Sequence, residues 1–211
     1  FGVDPEAWDL IATSGDSARM AMFQGIVGNK IYFIGTPYEE NFFDPLNVVK
    51  RPVSIERVPI AEAEGIVCTG PFNSLENLDV YISDFEFARK RGLKLLCANP
   101  DIIVDRGNVR EWCAGALAKM YTDLGGESLY FGKPFQPIYD LARRRLSSTG
   151  IQINDDRILA IGDGITTDIL GAEKEGIDSL FITGGLAALE TGTKEQPDQV
   201  LLEQYLKEQK L

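Results

Sequence analysis

Residues Arg157–Gly176, RILAIGDGITTDILGAEKEG, read as a buried strand, a Gly-Asp-Gly turn and a helix that carries a second Asp close to its start. Ile158, Leu159, Ala160 and Ile161 form the unbroken apolar run expected of a central parallel strand. Gly162 and Gly164 let the backbone turn sharply about Asp163, Thr166 or Thr167 can cap the helix, and Gly176 ends it. In open α/β sheets ligands occupy the crevice beyond the carboxyl ends of the strands, so Asp163 is placed for ligand or ion work. Two carboxylates there, Asp163 and Asp168, suit a hard divalent cation, magnesium above all. The same pattern also fits a nucleotide-binding Rossmann unit, or an Asp that only caps a helix.

Upstream, SLYFGKPFQPIYDLARRR (128–145) repeats the arrangement: Leu129–Phe131 form a short apolar strand that runs into Gly132, Lys133 and Pro134 before an amphipathic helix. A lysine at a strand end beside a carboxylate pair is suited to neutralising a phosphoryl group, because charge stabilisation dominates phosphoryl transfer. Taken singly, Lys133 reads as an exposed loop lysine. In this order the two elements resemble the third and fourth motifs of the haloacid dehalogenase superfamily of phosphatases.

The resemblance extends to the class IIA subgroup, which holds p-nitrophenyl-phosphatase-like and nucleotide- or sugar-phosphate phosphatases. FGVDPEAWDLIATSGDSARM, at the start, is similar to the segment where that family's core gives way to an inserted cap, with Thr13, Ser14 and Gly15 at the crossing. LLCANPDIIVDRG is similar to the cap's Asn-Pro-Asp loop, and YFGKP and GDGITTDILGA follow in family order. The resemblance implies an α/β fold: a Rossmann-like parallel-sheet core of residues 1–15 and 127–211, and an inserted α/β cap of residues 16–126. It also implies magnesium-dependent hydrolysis of a small phosphorylated metabolite through an aspartyl-phosphate. In that scheme Asp163 ligates Mg2+, Asp168 supports the metal shell or orients Lys133, and Lys133 holds the nucleophile and the phosphoryl oxygens. Asn99, Asp101 and Gly164 bind substrate. The cap closes over the cleft about Thr13–Gly15 and Gly126–Ser128, and members of the family often pair through their caps, so a homodimer is a candidate assembly.

Family members begin with a strand ending in an Asp-x-Asp-like motif that supplies the nucleophile, followed by a strand ending in a phosphate-binding Thr or Ser. Neither is found in this sequence, and Thr13 and Ser14 match the hinge into the cap instead. The expectation is a chain that lacks its amino-terminal part, with the attacking Asp upstream of Phe1 and little activity in these residues alone.

Composition agrees with a cytoplasmic globular enzyme: 211 residues with 44% hydrophobic content can bury a substantial interior. A net charge of −11 argues against a nucleic-acid or anionic-membrane surface, both of which call for basic patches. Cys68, Cys97 and Cys113, widely spaced in apolar surroundings, read as buried thiols rather than a disulfide framework or zinc site. The absence of histidine removes His-based acid–base chemistry and Ser-His-Asp triads. No run approaches the length of a membrane span.

Between the motifs, Asp9–Thr13, Lys30–Ile34, Val53–Val58, Gly65–Thr69 and Leu93–Cys97 read as strands, and Asp16 or Ser17 as the cap of a helix reaching Ile26. Ser74 opens a helix whose stripe of Leu78, Tyr81, Ile82, Phe85 and Ala88 is core packing, and Asp198–Leu211 forms an outer amphipathic helix. This alternation predicts a parallel α/β cap. Asn99-Pro100-Asp101 is either a self-satisfied turn or a loop facing the cleft, and the resemblance favours the cleft. Arg106, Arg110, Glu111 and Trp112 are candidate substrate contacts, with Trp112 reading rather as cap core. They stand where many relatives have a Gly-rich entry to the next helix, which leaves substrate choice open. Two further classes compete: a catalytically incomplete scaffold that binds a phosphorylated ligand or partner, and a Rossmann oxidoreductase. The second is disfavoured because GDGITTD lacks the spaced glycines of the dinucleotide fingerprint.

Overall fold

Thr13 turns its hydroxyl oxygen back to accept the backbone N–H of Asp16 at 3.1 Å, and helix α1 (Ser14–Phe23) starts there. The computed structural model describes residues 2–107 and 109–210, with the side chains of Asp105 and Arg106 outside that description. After α1 come β1 (Lys30–Ile34), β2 (Glu56–Arg57), β3 (Gly65–Cys68), α2 (Ile82–Lys90) and β4 (Lys94–Cys97). An antiparallel hairpin follows, β5 (Ile103–Arg106) and β6 (Val109–Trp112), and then α3 (Ala114–Asp123) and β7 (Glu127–Tyr130). The remainder is α4 (Gln136–Ser148), β8 (Leu159–Gly162), α5 (Leu170–Glu175), β9 (Asp178–Phe181) and α6 (Gln199–Gln209).

Five parallel strands form the main sheet in the order β2-β1-β3-β4-β7. Side chains alternate across it, and both faces are covered, which is why Gly65–Cys68 of β3 and Leu95–Cys97 of β4 are apolar and buried throughout. Ile66, Cys68, Leu95 and Cys97 point to the side packed by Phe85 of α2 and Leu117 and Tyr121 of α3. Val67 and Leu96 point the other way, onto Met22 and Phe23 of α1. Full burial of side chains such as Phe85 and Leu117 stabilises the fold by about 1.5–3 kcal/mol each. Buried Tyr121 also donates its hydroxyl to the Leu93 carbonyl at 2.5 Å, so its polar end is satisfied.

Helix α1 joins this sheet to the rest of the chain. It packs on α4, which packs on α5, and Asp16 pairs with Arg145 of α4 at 2.9 Å while also accepting from Arg19 at 3.1 Å. The remaining strands, β8 and β9, form a separate two-stranded parallel sheet.

The mixed α/β class and the parallel sheet agree with the sequence reading, and several details differ. Asp9–Thr13 forms no strand, since a strand needs a hydrogen-bonded neighbour and none of the described residues supplies one. The Val53–Val58 strand shrinks to Glu56–Arg57, and the helix expected from Ser74 begins with a 3-10 turn at Leu78–Tyr81 capped by Asn77. The β5–β6 hairpin adds antiparallel pairing that the periodicity did not announce. Strand β7, which the sequence reading counts with residues 127–211, hydrogen-bonds to β4 in the main sheet, Lys94 opposite Glu127 through Cys97 opposite Tyr130. Strand β8 is not covered on both faces among the described residues: Leu159 is 53% and Ile161 63% exposed, with Leu180 and Ile182 of the β9 segment also exposed. No helix among the described residues is long and apolar enough to cross a membrane.

Cys68, Cys97 and Cys113 are buried as expected, and burial lifts the Cys97 thiol to about 12. The native protein should therefore react slowly with a thiol reagent at pH 8 and show all three thiols only when denatured. Rapid native-state labelling of Cys97 would contradict its burial. Tyr32 gives a pH-dependent counterpart. Burial, with the Asp84 carboxylate that accepts its hydroxyl at 3.0 Å, raises its phenol from 10.0 to about 12. A raised folded-state value means that this contribution is complete below pH 10 and lost as pH climbs towards 12. Chemical denaturation across that window should show stability falling, and Tyr32→Phe should remove about one proton's worth of the slope.

Candidate active site

The backbone between β7 and α4 delivers Lys133 at the carboxyl end of the main sheet, with a cis peptide bond to Pro134. Its ammonium pairs with Oδ1 of Asp168, which lies in a π-helical turn, Ile165–Ile169, that leads into α5. The Asp168 side chain is 13% exposed and that of Lys133 51%, so the carboxylate is nearly enclosed and the amine reaches it from the open side. Asp168 also closes its own turn, accepting the backbone N–H of Gly164 on Oδ2 at 3.0 Å. Neither threonine caps this helix as the sequence suggested. Thr167 instead donates its hydroxyl to the Gly164 carbonyl at 3.4 Å, and the turn, whose N-cap residue is Gly164, has no side-chain cap. Gly176, in a left-handed conformation, does end α5 as expected.

Asp163 follows the last residue of β8, and its Oδ2 accepts the backbone N–H of Leu186 at 3.2 Å. This is the crevice beyond the strand ends, between β8 and the loop after β9. Facing it from the main sheet is the loop after β4. There the Asn99 side chain accepts the N–H of Asp101 at 3.2 Å, and the Asp101 carbonyl accepts that of Gly115 in α3 at 3.0 Å. Both readings of Asn99-Pro100-Asp101 thus hold at once: a self-satisfied Asx turn, and a wall of the cleft. One cleft of about 490 Å³ is lined by Lys133, Asp163, Asp168, Asn99 and Asp101 together, along with Thr13 and Ser14. Gly164 stands apart, outside the lining, with its N–H taken by Asp168.

Sequence reasoning treated Thr13 and Ser14 only as a hinge, yet both border the cleft beside Gly132. The one signal available was their place at the start of a capped helix. Trp112 is corrected in the other direction: it is 40% exposed, on one arm of the antiparallel β5–β6 hairpin. The Arg106 side chain lies outside the described residues.

The oxygen donors of Asp163 and Asp168 are of the hard type that magnesium takes. Among the described residues no group of three or more His, Cys, Asp or Glu could hold a metal ion. The protein side therefore offers two carboxylates, which fits an ion that commonly takes one or two carboxylates and fills its shell with water and phosphate oxygens.

The position of Asp168 depends on the bareness of Gly162: a Cβ there would fall 2.2 Å from the Asp168 carboxyl carbon and 2.4 Å from its Oδ2. Gly162→Ala should push the carboxylate away from Lys133 and cost about 1–3 kcal/mol in a denaturant melt. Gly70→Ala, whose added Cβ meets nothing within 4 Å, serves as the control and should stay within about 0.5 kcal/mol. Equal effects of the two would mean that the turn is not held by this contact.

Comparison with known proteins accords with this geometry. A family model described as "HAD-hyrolase-like" matches residues 130–205, the span from the Lys133 loop through Asp163 and Asp168. A hydrolase of the haloacid dehalogenase-like family from Brucella suis 1330 is 41% identical, with a TM-score of 0.76 over 89% of this chain and 69% of that one. A p-nitrophenyl phosphatase from Archaeoglobus fulgidus shares the fold at 21% identity and a TM-score of 0.61, over 92% of this chain and 67% of that one. So does a glycerol phosphate phosphatase from Mycobacterium tuberculosis, in complex with magnesium, at 20% identity and a TM-score of 0.61, over 88% of this chain and 54% of that one. No curated protein matches. With 41% identity across most of its length, and with the family match falling on the residues that build the cleft, the chain belongs to the haloacid dehalogenase-like hydrolases.

Proposed function

We propose that this chain forms part of a magnesium-dependent phosphomonoester hydrolase that works through an aspartyl-phosphate, with the attacking Asp upstream of Phe1. The observation that carries the reading is the convergence of Lys133, Asp163 and Asp168 on one cleft faced by the Asn99–Asp101 loop. The phosphatases among its structural relatives support the reaction class, and the magnesium complex of one of them supports the metal. Two observations leave room for that Asp outside these residues. The chain spans 69% of the Brucella hydrolase, and the exposed apolar side chains of β8 and β9 leave a sheet face and an edge for further strands.

Each residue has a role that its surroundings suit. Asp163, with one oxygen on the Leu186 N–H, is the first candidate ligand of the metal, and Asp168 the second. Magnesium, when bound, supplies charge neutralisation for the phosphoryl oxygens. Asp168 holds the Lys133 ammonium at the mouth of the cleft, where it stabilises negative charge on the transferring group. Asn99 and Asp101 contact the substrate from the opposite wall, and the loop that carries them keeps bulk water from the reacting atoms.

The test is hydrolysis of p-nitrophenyl phosphate by the protein with its upstream residues, with and without magnesium. Asp163→Asn and Lys133→Ala should each lower kcat/KM by about 10²–10³-fold, as should chelation, while the thermal melt stays unchanged. A fully active Asp163→Asn variant at ordinary magnesium concentration would overturn the metal assignment. If even the extended wild-type protein fails to hydrolyse phosphomonoesters but binds inorganic phosphate with magnesium, the chain is a ligand-binding scaffold instead.

A further inference from the structure

A second chamber, of about 510 Å³, opens beside the catalytic cleft and shares Asn99 and Asp101 with it. Its floor is the carboxyl end of the main sheet, at Thr36 after β1 and Thr69 after β3, and its roof is the hairpin, at Val104 and Trp112. We propose that this chamber receives the leaving group of the phosphoester and selects a neutral or cationic, ring-bearing alcohol against an anionic one. The inference rests on the hydrolase reading above and adds the charge class of its substrate.

Position supplies the first part of the argument. A phosphoryl group held by Lys133 in the cleft beside Asp163 has the Asn99–Asp101 loop as its neighbour, and the chamber begins on the other side of that loop. Whatever is esterified to the phosphate and extends past Asn99 enters it.

Lining chemistry supplies the second. Phe72 is 50% and Trp112 40% exposed, so two aromatic rings face the opening instead of the core, a surface that stacks on a planar group or attracts a cation. The charged floor residue is Glu39. Its Oε2 accepts both the Thr36 N–H at 2.9 Å and the Thr69 hydroxyl at 2.6 Å. Gly35 makes this bond pair possible, since a Cβ there would fall 2.1 Å from Thr69 Oγ1 and 2.7 Å from Glu39 Oε2. Both donors are neutral, so the negative charge of Glu39 is held in place without being cancelled. Asp101 and Glu111 add two further carboxylates to the lining; Asp101 forms no ion pair among the described residues, Glu111 has a partner of its own, and no described lysine or arginine lines the chamber. An anionic group on the alcohol would meet Glu39 and Asp101, which have no cation opposite them among the described residues, whereas an ammonium would be matched by them.

The test does not need turnover. In the 211-residue protein carrying Trp8→Phe, Trp112 is the sole tryptophan and reports on the chamber. Tyramine should change its fluorescence with a Kd at least about tenfold below that of 4-hydroxybenzoate. Glu39→Gln keeps the acceptor for Thr36 and Thr69 and removes only the charge, so it should bring the two ligands to within about threefold of each other. Asp101→Asn provides the same reading should Glu39→Gln melt early. Equal affinities, a preference for 4-hydroxybenzoate, no binding of either, or a ratio unchanged in both variants would each overturn the inference. Hydrolysis is assayed separately, with tyramine phosphate and 4-carboxyphenyl phosphate on the protein with its upstream residues. Tyramine binding without hydrolysis of any ester would overturn the hydrolase reading and leave the charge preference standing.

Discussion

A charge pair joins the end of the main sheet to the turn that follows the first strand of the smaller one. Lys133 leaves the end of β7 and Asp168 opens the helix after β8, and their contact holds the two strand ends at one cleft. With Lys133 about half exposed, the pair adds about 0–1 kcal/mol to stability, so its consequence is positional. Asp168 can serve this way because it has two further constraints: the Gly164 N–H on its other oxygen, and the bare backbone of Gly162 beneath it. A carboxylate fixed by three contacts presents its charge at one place, and a lysine that meets it there loses most of the freedom of its long side chain.

Around that pair the cleft follows from parallel-sheet geometry. Every strand of the main sheet runs the same way, so the loops after β1, β3, β4 and β7 all emerge at one edge. The loops after β4 and β7 wall the cleft that holds Lys133, and those after β1 and β3 floor the adjoining chamber. Asn99 and Asp101 belong to both because β4 lies between β3 and β7 in the sheet order. Helix α1 ties the arrangement down from below: its sheet-facing side is buried against Val67 and Leu96, while Asp16 pairs with α4.

The hairpin β5–β6 is the part least bound by these rules. It interrupts the crossover from β4 to α3 and carries Val104 and Trp112 over the second chamber. Its residues contribute little to the buried clusters, so its sequence is open to change without loss of fold.

How much of this was legible beforehand depended on the range of the interaction involved. The strands read at Gly65–Thr69 and Leu93–Cys97 formed, as Gly65–Cys68 and Lys94–Cys97, and Gly176 ended its helix, since each is decided by neighbours a few positions away. Lys133, Asp163 and Asp168 stood out because a charged residue at the end of a strand is where an α/β sheet exposes its loops. Other features were decided only by the tertiary structure. Asp9–Thr13 has the composition of a strand but no paired neighbour, and β7 joined the main sheet because its hydrogen-bonding partner was β4. Trp112 looked like core and proved exposed, since an apolar ring gives no sign of which way its strand will face. The sequence by itself determined which elements form and which residues carry charge at strand ends, because those follow from local periodicity and turn chemistry. Which strand ends meet, and hence which carboxylates share a cleft or stay unpaired beside it, was left to long-range packing that no local pattern encodes.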